Sequence, residues 1–119
     1  RRVRKQFGGG MSQAGYLAAA CIYALDHHVE RLKEDHARAK TVGDALEELS
    51  FVESVLPVDT NIVIFKLAVN RTSDEFMNRL EEAGIKAVPF GPKEIRFVTH
   101  LDFDDDMHEE TISILKHLK

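Results

Sequence analysis

Arg96 lies in the run Glu94-Ile95-Arg96-Phe97-Val98-Thr99-His100, a cation set among apolar residues. If that run is a strand, Ile95, Phe97 and Thr99 share one face, and Arg96, Val98 and His100 share the other. A guanidinium so placed is either paired with a local acid, Asp102 or Glu94, or reserved for an anionic ligand. Its planar fork matches a carboxylate through two parallel hydrogen bonds. The second candidate is Gly8-Gly9-Gly10, preceded by Arg4 and Lys5. Backbone N–H groups of a glycine-rich turn before a helix can hold phosphate, with Lys5 or Arg4 adding charge. The spacing is neither a Walker A nor a dinucleotide fingerprint, and a flexible linker is its default reading.

The six histidines do not form a metal pattern. His27 and His28 are adjacent on a helix, no cysteine stands at zinc-finger spacing, and no His-x-x-Glu-His arrangement occurs. No metal site is expected, and His100 alone merits interest, as a neighbour of Arg96. Cys21, Tyr16 and the methionines Met11, Met77 and Met107 read as packing or cap residues. Asp104-Asp105-Asp106 reads as the amino end of a helix, not as a cation site.

These residues need elements to position them. From Ser12 an alanine-rich helix runs through Tyr16, Leu17, Ala20, Cys21, Ala24 and Leu25, and its composition predicts burial nearly all round. Asp26 is the expected cap of a second, amphipathic helix to about Leu49, with Val29, Leu32, His36, Ala39, Val42 and Leu46 on one stripe. Residues 52–58 read as extended. Residues 61–67 form a β-branched run without clean alternation, hence a central strand covered on both faces. Thr72 and Glu75 make a capping box for a helix carrying Phe76, Met77, Leu80 and Ala83, and Gly84 ends it. Ile85 to Val88 and Glu94 to His100 are expected strands around a Pro89–Pro92 turn. A last helix closes on Lys116, His117 and Lys119. The order from residue 51 is β-β-α-β-β-α, an α/β or α+β layer. The expected division is 1–25 as the end of a larger domain, 26–50 as a connecting helix, and 51–119 as a small α/β domain.

Composition sets the outer bounds. The chain has 119 residues, 16 Lys+Arg against 20 Asp+Glu, and is 44% hydrophobic and 30% charged. That is globular, so wholesale disorder is excluded, and the slight acidity argues against a general nucleic-acid binder. No apolar run approaches a membrane span. The lone Cys21 precludes a disulfide framework and suits a reducing, cytoplasmic compartment. The chain opens Arg1-Arg2-Val3-Arg4-Lys5 without an initiator methionine, so a piece of a longer protein is expected.

Residues 4–15, Arg-Lys-Gln-Phe-Gly-Gly-Gly-Met-Ser-Gln-Ala-Gly, followed by Leu17-Ala18-Ala19-Ala20, closely resemble a segment of the low-specificity L-threonine aldolases. So do Glu34-Asp35-His36, Asp59-Thr60-Asn61 and Arg96-Phe97-Val98-Thr99-His100-Leu101-Asp102, in the family's order. The resemblance is to the carboxyl-terminal third of such an enzyme. It implies a fold-type I pyridoxal 5'-phosphate lyase that cleaves threonine and related β-hydroxy-α-amino acids to glycine and an aldehyde. Dimers or tetramers with sites at subunit boundaries are the family's rule. The Schiff-base lysine would lie upstream of Arg1, so no catalytic residue is expected here and the chain alone should be inactive. Carried over residue by residue, Arg96 resembles the arginine that holds the substrate carboxylate, and Lys5 a lysine near the cofactor phosphate. At Ser12 the family usually has arginine, and loss of that charge-assisted contact costs on the order of 1–3 kcal/mol. The alternative is a non-catalytic or degenerate α/β module that binds a small anion or dimerises.

Overall fold

The computed structural model describes residues 2–68 and 72–118. Arg1 and Lys119, the latter expected at the end of the last helix, lie outside the described residues. The chain forms two compact units, Arg1–Arg31 and Leu32–Lys119.

In the first unit the basic start is helical: α1 spans Arg2–Gln6 and runs into the glycine turn, where Gly8 takes φ +78°. The alanine-rich helix α2 spans Gly15–His27, so Asp26 lies inside it and caps nothing. None of its residues is buried, and Tyr16, Leu17, Ile22, Tyr23 and Leu25 are all exposed. The expected burial all round is absent because this unit contributes no apolar layer to cover the helix. The expected continuous helix over 26–50 is also interrupted, by turns at residues 28–31.

The second unit begins with α3, Leu32–Glu47, which buries Ala39, Val42 and Leu46 as its stripe predicts, and Ala45 beside them. Asp35 is buried at its start, whereas Val29, Leu32 and His36, assigned to that stripe, are exposed. Strands β1 (Val52–Val55), β2 (Ile62–Leu67), β3 (Val88–Pro89) and β4 (Glu94–Val98) form one antiparallel sheet in the order β1-β2-β4-β3. Two further helices follow the pattern of charge and apolar residues: α4 (Ser73–Glu82) and α5 (Asp105–His117). Thr72 Oγ1 accepts from the Glu75 N–H, Gly84 stops α4 with φ +85°, and Asp104 caps α5 by accepting from the Met107 N–H. The result is the expected β-β-α-β-β-α order in an α+β fold.

The core lies on one side of the sheet. Val63, Phe65 and Leu67 of β2, with Ile95 and Phe97 of β4, pack with Phe51, Phe76, Leu80, Leu46 and Leu115. The other side is open, which corrects the expectation that β2 is covered on both faces: Ile62 is 40% and Val98 43% exposed, and Ile64 is partly exposed. An unbroken apolar run therefore marks a strand without stating that a second layer covers it. Of the expected strand Ile85–Val88, only Val88 pairs, so residues 85–87 separate from β4. Among the described residues no helix is long and apolar enough to cross a membrane.

Candidate functional site

Register places Arg96 in the middle of the open face. It stands between Ile64 of β2 and Val88 of β3. Its strand neighbours Ile95 and Phe97 point into the core, which fixes the backbone beneath it. The acids considered as partners are engaged elsewhere or turned away. Asp102 donates its backbone N–H to His100 Nδ1 at 3.2 Å, with its carboxylate 3.9 Å from the same nitrogen. Glu94 lies opposite Lys66 in register, and its Oε2 stands 3.2 Å from the point where a Cβ on Gly91 would be. Arg96 makes no ion pair or hydrogen bond to any described residue, and its Nε is buried without a partner. The guanidinium carbon lies 5.8 Å from the centroid of the Phe90 ring. A buried donor without an acceptor costs about 1–3 kcal/mol, and no described side chain offsets that cost at Arg96.

The strand end beyond Arg96 is pinned. Thr99 is 4% exposed and its Oγ1 donates to the Asp35 carbonyl at 2.8 Å. Asn61 Nδ2 donates to the Thr99 carbonyl at 2.7 Å, and the Thr99 N–H donates to the Asn61 carbonyl at 3.0 Å. Arg38 then joins Asp35 (3.8 Å) to Asp105 (2.8 Å), tying the first turn of α3 to that of α5. Lys66 donates to Glu53 at 2.7 Å. That bond and the Glu53 charge hold the amine above its usual 10.5.

Lys5 and Ser12 belong to the first unit and both are exposed, Lys5 on α1 and Ser12 in the turn before α2. The glycines there allow close approach: a Cβ on Gly9 would stand 2.8 Å from Arg4 Cγ, and one on Gly10 3.2 Å from Lys5 Cγ. The stems of Arg4 and Lys5 thus lie against the turn. His100 is exposed, and among the described residues no cluster of His, Cys, Asp and Glu could hold a metal ion.

Phe90 and a cavity of about 370 Å³ escaped the sequence reading. The cavity lies where residues 85–87 leave β4, and is lined by Val63, Ile85, Lys86, Phe97, Phe103 and Ile114 among others. Arg96 does not line it. The signal for Phe90 was available: an aromatic residue between Pro89 and Pro92 in a turn has no core to fill.

A two-layer domain with helices on one face of an antiparallel sheet is shared with large pyridoxal-phosphate enzymes. The fold aligns with a C-DES K223A variant with glycine covalently linked to its PLP cofactor, at a TM-score of 0.64 and 20% identity. That alignment covers 86% of this chain and 28% of that one. An ornithine aminotransferase from Toxoplasma gondii, whose structure has partial PLP occupancy, aligns at a TM-score of 0.63 and 15% identity, covering 84% and 24%. At sequence level the chain belongs to the beta-eliminating lyase family, which matches residues 1–70. It is 40% identical over 103 residues to the low specificity L-threonine aldolase of Escherichia coli K12, covering 85% of this chain and 29% of that protein. It is 31% identical over 121 residues to the probable low-specificity L-threonine aldolase 2 of Arabidopsis thaliana, covering 99% and 34%. The chain therefore spans about a third of the length of these relatives.

Proposed function

We propose that this chain is the carboxyl-terminal portion of a pyridoxal-phosphate-dependent lyase. The complete protein would cleave threonine and related β-hydroxy-α-amino acids to glycine and an aldehyde, as a cytoplasmic homo-oligomer. Residues 1–25 would end its large domain, 26–50 connect, and 51–119 form the small domain. The observation that carries the reading is the unpaired Arg96 guanidinium on an open sheet face, in a family of lyases.

The residues present fit such a cofactor in their donor chemistry. Arg96 is a free cation with an orphaned donor, and the Gly9–Gly10 turn is covered by the stems of Arg4 and Lys5. When bound, pyridoxal phosphate is an electron sink for the bond that breaks at Cα. The tasks of this chain are different ones. Arg96 receives the substrate carboxylate in its fork, and so fixes which Cα bond is presented for cleavage. Lys5 and the Ser12 hydroxyl contribute to phosphate binding. The rigid β4 backbone, pinned at Thr99, keeps the fork from drifting.

A second reading, a degenerate or non-catalytic anion-binding or dimerisation module, rests on Ser12, which offers one hydrogen bond where a cation is usual. One experiment separates the two. The complete protein, with its upstream two thirds, is assayed for glycine release from threonine, beside Arg96→Gln. The lyase reading predicts turnover, with KM for threonine raised about 10- to 100-fold in the variant, the loss of a charge-assisted pair worth about 1.5–3 kcal/mol. Equal KM in the two proteins refutes the role of Arg96. A complete protein that fails to hold pyridoxal phosphate supports the degenerate module. The 119-residue chain alone should release no glycine.

A further inference from the structure

We propose that Phe90 is a positioning residue for Arg96: its ring holds the guanidinium over the open face in the orientation that receives a carboxylate. The inference rests on the reading of Arg96 as a carboxylate ligand, and adds to it the group that makes the fork ready.

Phe90 is 53% exposed, so its ring is not spent on the core. It stands 5.8 Å from the Arg96 guanidinium carbon, inside the range at which a ring face attracts a cation. Its backbone is held firmly. The Phe90 N–H donates to the Glu94 carbonyl at 2.9 Å, and Gly91 and Glu94 exchange bonds at 3.3 and 3.4 Å. Ser73, buried at the start of α4, donates from Oγ to the Pro92 carbonyl at 3.1 Å. Pro89 and Pro92 flank the turn and restrict its backbone further. The ring is therefore carried on a stiff loop, while an arginine side chain in water has many rotamers to lose.

The competing partner is Glu94, two residues before Arg96 and on the same face of the strand. Its Oε2 lies over Gly91, 3.2 Å from the point that a side chain at position 91 would occupy. Gly91 leaves the acid a resting place away from Arg96, and Phe90 supplies the cation with an uncharged neighbour in its stead. A ring in this role stabilises the guanidinium without neutralising it, so both terminal nitrogens remain available.

The test uses the 119-residue chain with isotope-labelled arginine, titrated with sodium acetate against sodium chloride at constant ionic strength. The Nε–Hε resonance of Arg96 is followed beside that of exposed Arg79 as reference. Wild type is expected to bind acetate at Arg96 selectively. Phe90→Leu should weaken that binding about two- to five-fold, the measure of one exposed cation–π contact. It should also move the Arg96 resonance through loss of the ring current, with the urea midpoint unchanged. Phe90→Tyr, which keeps a ring, should restore affinity and resonance together. Unchanged acetate affinity in Phe90→Leu overturns the positioning role while leaving the carboxylate reading intact, and so does failure of Phe90→Tyr to rescue. If Arg96 in the wild type responds no more than Arg79, the carboxylate reading itself fails and the role of Phe90 fails with it.

Discussion

Gly43 offers a test of the packing that supports the site, because two effects of opposite sign meet there. It is buried inside α3, where glycine is about 0.8–1.0 kcal/mol less favourable than alanine. On helix propensity alone, Gly43→Ala should stabilise. The structure opposes this: a Cβ at position 43 would stand 2.9 Å from Val58 Cγ2, with Val55 Cγ1 and Val63 Cγ1 each at 3.8 Å. Val58 is β-branched, so its methyl cannot swing aside at low cost. Overpacking of this kind costs about 1–3 kcal/mol. Contact should win, for a net loss of about 1 kcal/mol. Urea unfolding of the chain measures it as a lower midpoint at constant slope. In a Val58→Ala background the clash is gone, and Gly43→Ala should be neutral or stabilising by up to about 1 kcal/mol. The coupling in the double-mutant cycle is then about 1–2 kcal/mol. If Gly43→Ala raises stability by about 1 kcal/mol while Val58 is present, the close approach of α3 to the 55–58 segment is refuted.

Thr72→Ala removes the cap of α4 and should cost about 1 kcal/mol by thermal denaturation, with Asp104→Ala costing a similar amount at α5. Thr99→Val keeps the shape but loses the hydroxyl that donates to the Asp35 carbonyl, and should cost about 1–2 kcal/mol in urea. The Lys66 amine is raised by its hydrogen bond to Glu53 and then by that carboxylate's charge. Its stabilising contribution is therefore complete below the usual lysine value and fades as pH rises through the higher folded-state value. Stability measured across the alkaline range should fall more steeply in wild type than in Lys66→Met, and parallel curves would remove the ion pair from the account.

Much of the second unit was readable from the sequence because its signals are local. Thr72 with Glu75, the acid run at 104–106 and Gly84 each dictate a helix end through the hydrogen bonds available within a few residues. Arg96 was likewise legible, since period-2 alternation needs no tertiary knowledge to separate it from Ile95 and Phe97. What failed depended on distant partners. The apolar character of Ile62 and Ile64 gave no indication whether another layer covers them. Ile85–Ala87 have the composition of a strand, yet only Val88 finds a pairing position on β4. Asp35 is buried because Arg38, Thr99 and Asp105 converge around its turn, and no window of sequence contains all four. The exposed apolar residues of α2 belong to the same class: composition alone predicted burial without naming what would provide it.

The two sides of β4 place a constraint on how Arg96 can move. Sliding this strand by a single position would invert it, drawing a cation into the hydrocarbon interior and expelling Ile95 and Phe97 into water. Gradual adjustment along the strand is therefore barred. Fine tuning is left to side-chain rotation against Phe90, and anything larger must carry the entire sheet along as one piece.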